Sequence, residues 1–148
     1  MPDSSKPAGQ LKNLKDKASA SKISDVLVKS FMHQNPISIP EGTKIYSAIF
    51  MLAAHKVGSA PVVDSRQRIV GVVSEHDLLI QTATRDVIEP IHFTKDPLML
   101  SPESTLQEAL VLLYKHKVRR LPVVDRSKYV VGLITRMDIL SRLIGKKE

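Results

Sequence analysis

The chain has 148 residues, 22 Lys and Arg against 15 Asp and Glu, and a formal net charge of +7. It contains no Cys and no Trp, which excludes disulfides, thiolate nucleophiles and Cys-ligated metals, and with 4% aromatic residues its core is expected to be aliphatic. The same scarcity removes the aromatic platforms on which single-stranded nucleic acids stack, and no apolar run approaches the roughly 18 residues of a membrane span.

Taken in order, residues 1–22 carry Lys6, Lys12, Lys15, Lys17 and Lys22 against Asp3 and Asp16, with few large apolar side chains. A flexible basic tail is expected there. It lacks the apolar centre of a signal peptide, and with no Cys a cytoplasmic location is expected. Thr43 to Val57 has helical spacing, with Ile45, Ala48, Ile49, Met51 and Leu52 toward one face. Thr43 is the candidate cap, and Gly58 the candidate stop with positive φ. Ala60 to Val63 and Ile69 to Val73 are β-branched runs around the polar turn Asp64-Ser65-Arg66-Gln67, which predicts a hairpin. A helix begins at Ser74. Thr82 to Thr94 connects to the next segment, where Pro90 prevents one continuous helix.

The pattern then returns. Leu98 to Leu100 predicts a short strand, and Ser104 with Gln107 a capping box ahead of Leu106, Leu110 and Leu113. Leu121 to Val124 and Val130 to Ile134 predict strands, and Thr135 begins a final helix. The recurrence is a true repeat: His55-Lys56-Val57-Gly58-Ser59-Ala60-Pro61-Val62-Val63-Asp64 answers His116-Lys117-Val118-Arg119-Arg120-Leu121-Pro122-Val123-Val124-Asp125, 61 positions later. The same shift aligns Pro36 to Leu79 with Pro97 to Leu140 without a gap. Residues 23–85 form repeat 1 and 86–148 repeat 2, each strand, helix, strand, strand, helix. Units this small are expected to pack together and share one core.

Each hairpin ends in one motif, Gly71-Val72-Val73-Ser74-Glu75-His76-Asp77 and Gly132-Leu133-Ile134-Thr135-Arg136-Met137-Asp138. A hydroxyl followed three positions later by an acid is a helix cap. The same geometry offers unpaired N–H groups to a phosphate, a hydroxyl donor, and a carboxylate that can accept from vicinal ribose hydroxyls. Glycine serves either close strand packing or close approach of a ligand. His55 and His116, at matching helix ends, suit the helix dipole, and no metal site is expected.

The doubled unit resembles a tandem pair of CBS domains, named after cystathionine β-synthase and often called a Bateman module. The resemblance rests on Asn35 to Ile39, Val57 to Asp64 and Gly71 to Asp77, answered by Asp96 to Leu100, Val118 to Asp125 and Gly132 to Asp138. It covers roughly residues 23 to 144. It implies an α/β (α+β) fold of two β-α-β-β-α repeats about a pseudo-twofold axis, with two clefts that hold AMP, ADP, ATP or S-adenosylmethionine in many members. By position, Asp77 and Asp138 would bind ribose, and Ser74 and Thr135 would face phosphate. The resemblance further implies that Ser74 and Asp77 face Arg119, Arg120, Leu121 and Pro122. Thr135 and Asp138 would face Gly58, Ser59, Ala60 and Pro61, with Ile37. Only the first of these clefts has an arginine pair, so nucleotide is expected to prefer it.

No Ser-His-Asp arrangement or carboxylate cluster points to catalysis, and no cofactor is required. The reading is a regulatory module that binds an adenosyl ligand and signals to a protein partner or through a homodimer. The apolar residues Ile139, Leu140, Leu143 and Ile144 motivate the dimer. The alternatives are a protein-interaction module without ligand, or a nucleic-acid-associated protein using its basic tail. No membrane association is expected.

Overall fold

The computed structural model describes residues 23–145; the basic tail expected at 1–22 lies outside them. The elements are β1 (His33–Gln34), β2 (Ile39–Pro40), α1 (Ile45–His55), β3 (Ser59–Val63), β4 (Ile69–Ser74), α2 (Glu75–Thr84), β5 (Thr94–Lys95), α3 (Leu106–His116), β6 (Arg120–Val124), β7 (Val130–Thr135) and α4 (Arg136–Leu143). The 61-residue shift carries α1 onto α3, β3 onto β6, β4 onto β7 and β1 onto β5. No described helix is long and apolar enough to cross a membrane.

Each repeat forms the expected antiparallel hairpin, β3 with β4 and β6 with β7. The turns are built on Asp64 and Asp125. Asp64 Oδ1 accepts the backbone N–H groups of Arg66 and Arg68, each at 2.9 Å, and Asp125 Oδ1 those of Ser127 and Tyr129. The bond from the Arg68 backbone is the chief cause that holds the Asp64 carboxyl below the usual carboxylate range. Gln67 and Lys128 complete the turns with φ of 68° and 71°.

The two sheets exchange strands. One has the order β2-β3-β4-β5 and the other β1-β7-β6. Thus β5, which leads into repeat 2, pairs with β4 of repeat 1, while β1, which leads into repeat 1, pairs with β7 of repeat 2. The two glycines at matching repeat positions, Gly71 and Gly132, sit at these crossings. A methyl group on Gly71 would overlap the Phe93 ring and the Thr94 carbonyl, and one on Gly132 would overlap Met32. Strand packing, not ligand approach, explains them.

The shared core expected from the sequence is instead two cores. Ile39, Ile45, Ala48, Leu52, Val62, Val73 and Leu78 form the first, joined by Ile91 from beyond the first repeat. Leu106, Leu113, Leu121, Val123, Ile134 and Ile139 form the second, joined by Val28 from the start of the first repeat. A common interior does not arise because each hairpin has its own helix pair to bury against.

Local corrections follow from hydrogen bonding. The N-cap of α1 is Lys44, not Thr43, whose hydroxyl donates to the Pro40 carbonyl at 2.6 Å. The left-handed C-cap is Lys56, φ 55°, not Gly58, and Lys117 repeats it. The capping box of α3 is Thr105 with Glu108, one residue beyond Ser104 and Gln107, because Ser104 Oγ instead accepts the Ser101 N–H. Of the strand expected at Leu98 to Leu100, only Leu100 pairs, parallel to Val123. Helix α2 stops at Thr84. The connector is then held by the buried Gln81, whose amide donates to the His92 carbonyl and accepts the His92 N–H, both at 2.8 Å.

Candidate functional site

Antiparallel pairing places the start of β3 beside the end of β4, with Ser59 opposite Ser74. It likewise places Arg120 opposite Thr135. The Glu75 N–H donates to the Gly58 carbonyl at 2.8 Å, closing the first hairpin onto α2. The two hairpin ends meet about the pseudo-twofold axis, where Arg120 Nη1 lies 3.4 Å from Ser59 Oγ, its own counterpart in the other repeat. At the far end of the axis a second pair 61 positions apart, Arg68 and Tyr129, is bridged through the backbone.

Between the hairpin ends lies a cleft of about 520 Å3, lined by Ser74 and Asp77 from one repeat and Arg119, Arg120 and Pro122 from the other. That volume suits a small organic ligand. Ser74 caps α2: its Oγ accepts the Asp77 N–H at 3.1 Å, and Asp77 Oδ2 accepts the Ser74 N–H at 3.0 Å. Two capacities remain. The Ser74 hydroxyl still has a proton to donate, and no described residue is bonded to Asp77 Oδ1. Gly58 gives the Arg120 guanidinium its place, since a methyl group there would stand 3.2 Å from Nη1. Arg120 holds Ser59 only by a long hydrogen bond, which a charged ligand group can displace.

Gly58, Ser59, Ala60 and Pro61 line this same cleft, whereas the sequence placed them opposite Thr135 and Asp138. The hairpin register decides this: β3 runs beside β4, so its start cannot part from Ser74. Leu121 does not line the cleft. Its neighbours on β6 do, but alternation turns Leu121 into the second core, 1% exposed. Ile37 packs against the first core. Thr135 and Asp138 are also outside the cleft lining. They form the equivalent cap, with Asp138 Oδ2 accepting the Thr135 N–H at 2.7 Å, but Oδ1 accepts from His33 Nε2 at 2.8 Å.

A family model described as "CBS domain" matches residues 28–81 and again 85–145. The chain belongs to the CBS domain family. Among solved structures, this CBS pair is similar to CBSX2 in complex with AMP, at 30% identity and a TM-score of 0.71, over 81% of this chain and 97% of that one. It is similar also to the CBS domain pair of protein MJ0100 in complex with 5-methylthioadenosine and S-adenosyl-L-methionine, at 25% identity and a TM-score of 0.71, over 81% and 96%. Among curated proteins it is 33% identical over 117 residues to inosine-5'-monophosphate dehydrogenase of Aquifex aeolicus (strain VF5), covering 77% of this chain and 24% of the relative. The chain thus spans about a quarter of the length of such relatives.

The CBS pair adds residues to the site that the sequence reading had not assigned to it. Glu75, His76, Val72, Val118 and Leu133 also line the cleft. Glu75 and His76 could have been found as first-turn neighbours of Ser74. Leu133 could not, since it enters from the other repeat. Glu75 and Asp77 share the cleft lining with Arg119 and Arg120, so the lining carries both signs of charge. His55 is occupied locally: its Nδ1 lies 3.0 Å from the Met51 carbonyl.

Proposed function

We propose that this CBS pair is a regulatory module that binds an adenosyl ligand, AMP, ADP, ATP or S-adenosylmethionine, in the Ser74–Asp77 cleft and passes the occupancy to a protein partner or across a homodimer. The observation that carries it is the cleft's division of labour. Asp77 Oδ1 has no partner among the described residues and lies within the same space as the capping hydroxyl of Ser74 and two arginines from the opposite repeat. The acid suits a ribose diol. Ser74, the N-terminus of α2 and Arg120 suit a phosphate or carboxylate. Ala60, Pro61 and Pro122 offer apolar walls to a purine. The bound AMP, 5-methylthioadenosine and S-adenosylmethionine of similar CBS pairs support the same class.

Binding regulates only if it favours one state. Here the ligand would join side chains from both repeats, so it would stiffen the angle between them. The module's own part in this reading is binding, and any reaction it influences would belong to another domain or protein. Calorimetric titration with AMP, ATP, S-adenosylmethionine and adenosine tests the reading. Saturable binding of at least one nucleotide, weakened by Asp77→Ala, is the expected result. Absence of binding by all four, in a protein that melts cooperatively, would leave the interaction module without ligand as the better account.

A further inference from the structure

We propose that His33 keeps the second repeat's ribose-type acid closed, so that the chain holds one nucleotide instead of two. The two caps are otherwise the same. Each acid gives Oδ2 to the N–H of its capping hydroxyl residue, at 3.0 Å for Asp77 and 2.7 Å for Asp138. They differ in Oδ1. In Asp77 it has no partner among the described residues. In Asp138 it accepts from His33 Nε2 at 2.8 Å. A carboxylate has no proton to give, so His33 is the donor. The result is an acid with 4% of its side chain exposed beneath an imidazole with 53% exposed. The bonded imidazole thus reaches solvent where the acid itself does not.

The difference arises from the strand exchange. His33 lies on β1 opposite Leu133, two residues before Thr135. Its counterpart, 61 positions on, is Thr94 on β5, opposite Val72. Threonine is too short to span where the imidazole spans, and no bond from Thr94 to Asp77 is formed. The repeats thus carry the same motif, but one lead-in strand brings a cover and the other does not. A diol that needs both Asp138 lone pairs on Oδ1 meets a donor already in place.

The inference rests on the reading of Asp77 as a ribose-binding acid, and one set of titrations separates them. AMP is titrated into the full chain, with stoichiometry read by calorimetry. Wild type is expected to bind one AMP, His33→Thr two, and His33→Thr with Asp138→Asn one again; Asn keeps an acceptor for the cap. His33→Gln, which restores a donor, is expected to stay at one. In an Asp77→Asn background, which alone should bind AMP much more weakly than wild type, His33→Thr should restore one tight site. If wild type binds one AMP and His33→Thr also binds one, the closure is overturned and the Asp77 site stands. If wild type binds none and His33→Thr one, the Asp77 site fails and the closure stands. Two AMP on wild type, with one lost in Asp138→Asn, overturns the closure. A measurement on wild type guards against a variant that does not fold. Saturating AMP should leave the His33 Nε2 nitrogen resonance in place; its displacement overturns the proposal.

Discussion

Arg120 and Ser59 occupy the same place in the two repeats, and they touch across the axis that relates them. This makes the cleft chemically lopsided although its framework is symmetric. A charge-assisted contact to phosphate contributes roughly 1.5–3 kcal/mol, so Arg120→Ala should weaken AMP by about tenfold or more while changing adenosine by less than about twofold. Asp77→Ala should weaken both, since both carry the ribose. Equal losses for AMP and adenosine in Arg120→Ala would move the phosphate elsewhere. The glycines permit a second comparison. Gly71→Ala must push a ring and a backbone carbonyl, whereas Gly132→Ala meets chiefly the flexible Met32 side chain. Overpacking costs about 1–3 kcal/mol; thermal unfolding should place Gly71→Ala at the upper end and Gly132→Ala at the lower. The second acid could not be judged from its motif, because Thr135 to Asp138 reads like Ser74 to Asp77. The residue that separates them, His33, lies about 100 positions away on a strand of two residues.

The helices and hairpins were legible because local physics determines them. Ile45, Ala48 and Leu52 share a face, Ser74 and Thr135 cap, and β-branched runs flank Asp-led turns. The exchanged strands were not legible. His33–Gln34 and Thr94–Lys95 are short, polar and exposed, with no alternation to reveal them. Their pairing is dictated by where the chain must cross, not by their own sequence. The same blindness produced the expectation of one core and the misplacement of Gly58 to Pro61. Exchange also predicts where damage travels. Ile91 lies beyond the first repeat's last helix yet is 4% exposed in the first core. Ile91→Ala should cost about 2–5 kcal/mol, and hydrogen exchange should show the loss in α1 and β3 before α3 and β6. Uniform loss across both repeats would mean the cores act as one.

At the scale of the molecule, the helices leave apolar surface uncovered. Tyr46, Phe50, Leu79 and Ile80 are exposed on the first pair, and Tyr114, Met137, Leu140 and Ile144 on the second. Of the four apolar residues that motivated a dimer from the sequence, Ile139 is buried in the second core, while Leu140 and Ile144 face out. Large apolar side chains left exposed on both helix pairs are the candidates for an interaction surface. A homodimer through these helices is expected, with light scattering giving the mass of two chains. Phe50→Glu combined with Tyr114→Glu should return one chain without lowering the melting temperature of the monomer fold. A monomeric wild type at high micromolar concentration would assign the same surface to another protein.

Strand exchange also sets a timetable for synthesis. His33 pairs with Leu133, so its strand must wait for about 100 further residues to leave the ribosome. At roughly 5–20 residues per second, that is a delay on the order of 5–20 s. The first hairpin waits less, since β5 follows β4 within the next few tens of residues. During the interval the nascent chain carries one nearly complete sheet and one orphan strand with Val28 uncovered. A chain stalled before β7 is therefore the form that chaperones and proteases should recognise, and release of the last hairpin is the event that ends the exposure.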